Sequence, residues 1–417
     1  MGVISLTSIL VTFCAVFSYI NYRYIKLPTT IGIMVMALGL SVVVLLLPVV
    51  GIDILPLVRE GFGEIDFSKT LLDGMLSFLL FAGALHVNWE NLHAQKYIVF
   101  ILAFFGTLVS TVLVGGTCWY LFPFLGFEIS FIHALMFGAL ISPTDPIAVM
   151  AILKKAGVPK TLETKVVGES LFNDGVAVVI FLVLLGIATQ GHAEPSHVAM
   201  LFVEEAIGGA VLGAVLGYIT FLMLRSVDNY QVEIFLTLAL VMGGYQLAQV
   251  LHTSGPIAIV IAGLIVGNIG RAHAMSDMTK QNLDNFWELI DEFLNAILFM
   301  LIGFELVMIP FNETAFYAGL IMIPGLLLIR TLSVTAPVAI LGRFRTFSKG
   351  VIPILVWGGL RGGLSVAMVL SLPTGDLRDF LLLVTYCIVL FSILVQGLTI
   401  GRLSRHYHGH PDQDRTS

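Results

Sequence analysis

Two short stretches of this chain carry acids inside apolar sequence. In "ISPTDPIAVM" (141–150), Asp145 stands between Pro143 and Pro146. In "VVGESLFNDGVAVVIF" (166–181), Glu169, Ser170, Asn173 and Asp174 fall within six residues. Residues four apart share a helix face, so Ser170 aligns with Asp174 and Glu169 with Asn173. Two arginines, Arg330 and Arg361, interrupt later apolar runs. Carboxylates, hydroxyls and carbonyls are hard oxygen donors that suit hard cations such as alkali ions. A carboxylate also binds a proton, so the two ligands compete. No His or Cys lies nearby in sequence, which makes the cluster poor for transition metals.

Pro143 and Pro146 each remove a backbone donor and clash with the preceding turn. They unwind the segment around Ser142–Asp145 and free carbonyls, such as that of Thr144, to act as cation ligands. Unwound backbone at membrane depth is tolerated where it lines a cavity or is buried in protein. This is the broken-helix device of secondary transporters. Glycines weaken a second segment, "WGGLRGGLSVAMVLSLP" (357–373), around Arg361.

The elements that must position these groups are membrane helices. The 417 residues are 58% hydrophobic and 12% charged, against about 25% charged in soluble domains. Thirteen segments are long and apolar enough to be read as spans: 3–21, 28–50, 70–87, 97–122, 129–152, 164–190, 198–224, 231–250, 254–270, 285–308, 314–341, 349–371 and 379–401. Only helices or closed barrels satisfy the backbone in lipid, and these long uninterrupted runs exclude a barrel. The expected fold is therefore all-α and polytopic. The first segment lacks the preceding basic residue and following cleavage site of a signal peptide. Cys14, Cys118 and Cys387 lie inside spans and read as small core residues.

Basic residues mark cytoplasmic loops. Sixteen of the 21 Lys and Arg fall in odd-numbered gaps, within two residues of one (Lys165, Lys349), or in the C-terminal tail, and three (Arg59, Lys69, Arg378) in even-numbered gaps. That asymmetry predicts the N-terminus outside and the C-terminus inside. Asp145 lies nine residues before Lys154, and Asp174 nine after Lys165. At 1.5 Å per residue both reach roughly 14 Å into the bilayer from the inner side. Arg330 and Arg361 reach similar depth. A charge there by default suggests an ion pathway with a partner. The alternative is a salt bridge that pins helices, a role Arg330 can fill without touching the ion.

If segment seven is a linker, segments one to six and eight to thirteen form two inverted sets of six, and the interrupted segments are the fifth of each. This symmetry rests on position, since no residue-level repeat is visible. Glu288, Asp291 and Glu292, spaced i, i+3, i+4, form an acidic face at the inner start of segment ten. They read as a cytoplasmic cation funnel or as a solvated helix end favoured by its dipole. Asp73 and Glu305 stand near outer ends, and His133 is a boundary residue. "GGAVLGAVLG" in segment seven predicts close helix packing.

The stretches "SPTDPIAV", "GESLFNDGVAVV", "SGPIAIVIAGLIVGN", "LNAILFMLIGFEL", "LLIRTLSV" and "WGGLRGGLSVAM" together resemble the cation:proton antiporter-1 family, which holds NhaP-type bacterial antiporters and animal sodium–proton exchangers. The resemblance implies dimerisation-domain helices in 1–96 and 231–313, core helices in 97–190 and 314–401, a linker helix in 191–230 and a short cytoplasmic tail, 402–417. The two broken helices would cross. It implies a homodimer in the inner membrane, with sodium and protons as cargo and no cofactor. Asp174 would be the main ion- and proton-carrying acid. Asp145 and Thr144 would complete the sodium site from the broken helix, and Ser170, Glu169 and Asn173 would join in ion and proton binding from segment six. Glu169 would pair with Arg330, and Arg361 would be the second core arginine. Electrogenic relatives carry an acid where this chain has Asn173, so electroneutral exchange is expected. The long regulatory tail of the animal members is missing, which points to a prokaryotic origin.

Lithium and potassium use similar ligands, so a potassium/proton antiporter is the alternative within this class. A channel would favour a selectivity loop such as T-V-G-Y-G and a continuous pore; neither is visible. An intramembrane aspartyl protease expects G-x-G-D, whereas Asp145 follows "SPT" and Asp174 follows "LFN". There is no Walker A pattern for ATP and no basic stripe for nucleic acid. No enzymatic activity is expected.

Overall fold

The computed structural model describes residues 3–56, 58–59, 67–145, 149–150, 152–153, 158–190, 195–343, 347 and 349–408. Pro146, Lys154, Lys155, Arg345, Arg415 and the side chain of Asp73 lie outside the described residues. The described residues form helices and no strand; extended backbone pairs only at a bridge between Asp145 and Leu360. In chain order the helices are α1 (Val3–Ile20), α2 (Thr29–Leu46), α3 (Phe67–Leu85), α4 (Trp89–Phe124), α5 (Phe131–Ile141), α6 (Lys160–Gln190) and α7 (Pro195–Arg225). They continue with α8 (Tyr230–Val250), α9 (Gly255–His273), α10 (Asp277–Glu305), α11 (Glu313–Leu341), α12 (Val351–Trp357), α13 (Gly363–Leu370) and α14 (Asp376–His408).

Helix occupies each of the thirteen apolar segments, and nine of the described helices are long and apolar enough to cross a membrane. α10 is outside that set because Asp277, Lys280, Asp284, Glu288, Asp291 and Glu292 fill its first half. α5, α12 and α13 are outside it because both parent segments are interrupted.

Capping explains where several helices begin. The Asn88 side chain accepts from the Asn91 amide, so α4 starts at Trp89 and takes in the polar stretch before residue 97. Ser276 accepts from Thr279 in the same way and starts α10 eight residues before the apolar run at 285. Ser130, Ser254 and Asn312 cap α5, α9 and α11. Such a cap contributes about 1 kcal/mol by satisfying an orphan amide. At the other end of the chain, α14 continues through residues 402–408 to His408 and buries Ile400 and Ser404.

The buried apolar residues form two clusters. The larger joins α1 and α2 to α4–α6, the second half of α10 and α11–α14. The smaller gathers α3, α8, α9 and the first half of α10 around Trp287, with Phe81 at 4.6 Å between ring centroids. The small-residue stripe of α7 lies against α9, as its spacing predicts. A Cβ on Gly213 would strike the Ala258 carbonyl oxygen, and one on Gly217 would come within 2.9 Å of Ala262 Cα. Gly213→Val should therefore cost about 1–3 kcal/mol through overpacking. It should lower the melting temperature of the purified protein in detergent. Gly243→Ala, where an added Cβ meets nothing within 4 Å, should leave the melting temperature unchanged or raise it.

Candidate functional site

The two interrupted segments cross at their breaks. α5 ends at Ile141, and the backbone runs through Ser142, Pro143 and Thr144 to Asp145. α12 ends at Trp357, and Gly358–Gly362 leads into α13. The Asp145 amide donates to the Leu360 carbonyl at 2.8 Å. Arg361 then reaches back across the crossing. Its Nη1 donates to the carbonyls of Ser142 at 2.7 Å and Pro143 at 2.9 Å. Carbonyls that Pro143 and the break leave without helical partners are thus taken by a guanidinium. This is the specific contact the sequence left unassigned for Arg361.

A second helix supports each side of the crossing. On the α5 side, the Ser142 hydroxyl donates to the Gly138 carbonyl at 2.6 Å and lies 2.9 Å from the Ser110 hydroxyl of α4. On the α12–α13 side, α14 opens into a π-helical turn at Ser392–Gly397. The Ser392 hydroxyl there accepts from the Arg361 amide at 2.9 Å, and the Gln396 amide donates to the Trp357 carbonyl at 3.2 Å. π-turns inside α-helices recur at functional sites; here the turn supplies partners for backbone that the break has exposed.

α6 places its polar residues on different neighbours. Asn173 Nδ2 donates to the Thr144 hydroxyl at 2.9 Å, and the Thr144 amide points at Asn173 Oδ1 at 3.4 Å. The Thr144 and Ser170 hydroxyls are 3.1 Å apart. All three are buried, Thr144 at 2%, Ser170 at 3% and Asn173 at 1% exposure. Glu169 turns the other way and meets Arg330 of α11, with Nη1 to Oε1 at 2.5 Å. Arg330 Nη2 also donates to the Leu355 carbonyl at 3.2 Å. Gly359 leaves room for this arginine, since a Cβ there would lie 2.8 Å from Nε.

Asp145 and Asp174 both line a cavity of about 560 Å³. The same cavity runs past Pro143, Leu298, Gly362, Gly363 and Ser365 to Lys160, Glu163 and Thr164 at the start of α6. Glu288 and Asp291 line it from α10; Glu292, on the same helix, does not. Asp291 is held by Asn295, whose Nδ2 donates to Oδ1 at 3.1 Å. Thr144 and Ser170 are not on the cavity wall; they lie behind it, bonded to each other and to Asn173. At the break the cavity therefore presents Asp145 and Asp174, with the Thr144 and Ser170 hydroxyls and the Asn173 amide behind them.

Several cavity residues escape a reading of single spans. His86 closes α3, and Asn88 and Asn91 open α4; all three line the wall. Nearby, Arg271 at the end of α9 makes a two-pronged contact with Asp284 of α10, Nη1 to Oδ2 at 2.8 Å, while His86 Nε2 stands 3.7 Å from the same carboxylate. The signal available was that all these residues flank odd-numbered gaps, on the same predicted side of the bilayer as Glu288. His133 stays at its boundary, with Nδ1 2.8 Å from the Ser130 hydroxyl.

Comparison with known proteins follows the same lines. A family profile described as "Sodium/hydrogen exchanger, transmembrane" matches residues 9–406. The chain is 52% identical over 415 residues to the Na(+)/H(+) antiporter NhaP of Pseudomonas aeruginosa, covering 98% of each chain. It is 38% identical over 365 residues to the Na(+)/H(+) antiporter NhaH of Halobacillus dabanensis, covering 85% of this chain and 88% of the other. The solved structure of the sodium proton antiporter MjNhaP1 from Methanocaldococcus jannaschii at pH 8 superposes with a TM-score of 0.76 at 18% identity, over 98% of this chain and all of that one. At that identity the likeness speaks for the fold.

Proposed function

The chain belongs to the sodium/hydrogen exchanger family, and from that premise we propose that it exchanges sodium ions for protons across a membrane. It is a multi-pass membrane transporter rather than an enzyme, and the ions are cargo rather than cofactors. The observation that carries the reading is the meeting of Asp145 and Asp174 on one cavity beside two crossed, interrupted helices.

Asp174 is the carrier of proton and sodium in turn, and Asp145 is its partner on the broken helix. Thr144, Ser170 and Asn173 hold that partner in place through their mutual hydrogen bonds. Glu169 with Arg330, and Arg361 on the Ser142 and Pro143 carbonyls, fix the scaffold. Glu288 and Asp291 attract cations into the cavity from the cytoplasm. Competition couples the fluxes. An empty anionic seat would carry its charge through a low-dielectric gate at a cost of several kcal/mol. A seat filled by a proton or a cation crosses more cheaply. Helices four to six and eleven to thirteen, counting α12 and α13 as one, would move as a core. The contacts α4–α5, α4–α11, α11–α14 and α13–α14 support that grouping; α2–α10, α3–α9 and α8–α9 support a separate dimerisation half. Thirteen crossings in two inverted repeats, N-terminus outside, in the inner membrane of a prokaryote, complete the proposal.

Asp145, Glu169 and Asp174 against Arg330 and Arg361 leave one net negative charge around the crossing, which one proton or one sodium ion neutralises. Exchange should therefore be electroneutral. Moving a net charge would couple transport to about 2.3 kcal/mol per 100 mV. Collapsing the membrane potential in proteoliposomes should leave the exchange rate unchanged; strong acceleration or block would refute one-for-one exchange. The function itself is tested by cation-induced dequenching of an acridine dye in everted vesicles, with Na⁺, Li⁺ and K⁺ compared across pH. Sodium should restore fluorescence. A response confined to K⁺ would replace sodium as cargo, and no response to any of the three would end the reading.

A further inference from the structure

Asp145 lies against a glycine that has no conformational need to be one. Gly362 adopts φ −120° and ψ −162°, extended backbone open to other residues. What it lacks is room. A Cβ built on it would lie 2.5 Å from Asp145 Oδ2, 2.9 Å from Asp145 Cβ and 3.1 Å from Cγ. The carboxylate thus occupies the space a side chain at 362 would take.

The backbone of Asp145 cannot retreat to make that space. Its amide is bonded to the Leu360 carbonyl, two residues before Gly362. The two residues before Thr144 are held by Arg361, the immediate neighbour of Gly362. The same crossing therefore fixes both sides of the contact. Room for a side chain at 362 must therefore come from rotation of the Asp145 side chain. Rotamer wells are far apart, so rotation moves the carboxylate oxygens by more than the tenths of an ångström that separate the oxygen distances of small and large cations. Both residues face the cavity shared with Asp174.

We propose that Gly362 is a specificity-determining residue: its missing side chain sets where the Asp145 oxygens stand, and so which alkali-cation size the seat prefers. The inference rests on the reading of Asp145 as a cargo ligand. Enlarging residue 362 swings the carboxylate to a new position and changes the fit for Na⁺ relative to Li⁺.

The experiment measures apparent KM for Na⁺ and for Li⁺ in proteoliposomes containing the full chain, Gly362→Ala or Gly362→Ser. The ratio of the two constants should change by at least about threefold in Gly362→Ala and further in the same direction in Gly362→Ser. A merely structural glycine would lower the amount of protein or the maximal rate and leave that ratio alone; exchange with an unaltered ratio overturns the inference. If neither variant accumulates, an experimental structure of the unsubstituted protein in sodium decides. Contact between the Asp145 carboxylate and Gly362 Cα sustains the inference, and a carboxylate turned away from Gly362 overturns it. Failure of the unsubstituted protein to exchange cations is a different result, and overturns the functional reading together with what rests on it.

Discussion

Asp174→Asn is expected to abolish sodium-driven proton movement in everted vesicles. The substitution keeps the size and most hydrogen-bonding capacity of the side chain, so the cavity shared with Asp145 should persist. What disappears is the group that can hold either a proton or a cation. An amide neither releases the proton nor supplies the anionic oxygen, so both half-cycles stop. A loss of 3 kcal/mol at the rate-limiting step already means more than about a hundredfold, and the signal should fall to that of vesicles without the protein. The control is that Asp174→Asn melts within a few degrees of the unsubstituted protein. Retained exchange would remove Asp174 from the centre of the mechanism.

The second large effect belongs to the ion pair of Glu169 and Arg330. Side-chain exposures of 2% and 9% put it out of water. A buried pair adds little net stability, yet removing one partner leaves an uncompensated charge at about 3–5 kcal/mol. Arg330→Met should therefore melt well below the unsubstituted protein and accumulate poorly in membranes. Glu169→Gln combined with Arg330→Met removes both charges and should recover much of the loss. A double-mutant cycle on melting measures that coupling. Equal melting of Arg330→Met and the unsubstituted protein would show that the pair is solvated in use and no longer a fixed strut.

Much of this arrangement was legible in the sequence, for identifiable reasons. Long apolar runs specify helices because lipid offers the backbone no other partner. Depth follows from rise per residue, which puts Asp145 and Asp174 at one level. Contacts between segments remote in sequence were less legible. Ser170 and Asp174 share a face by spacing, yet α6 is crowded enough that Ser170 turns to Thr144 while Asp174 takes the cavity. The Thr144 carbonyl was the freed ligand expected from the prolines; the carbonyls just before it, of Ser142 and Pro143, are taken by Arg361, a contact across more than two hundred residues that spacing does not show. Apolar windows also miss amphipathic starts. Asn88 and Ser276 begin helices in polar sequence through their own side chains, and α14 runs past residue 401 because one face stays buried. The acidic face of α10 shows the same limit: the spacing groups three residues, and the cavity admits Glu288 and Asp291.

The bond from the Asp145 amide to the Leu360 carbonyl, doubled by the grip of Arg361, has a mechanical meaning. It ties two chain breaks more than two hundred residues apart into one knot. Helix ends that meet in such a knot cannot part independently without stranding amides and carbonyls in a dry interior. On the proposed reading, a seat that opened to one side and then the other would have to carry the knot whole, as freight in a closed crate, while the surrounding walls slid past.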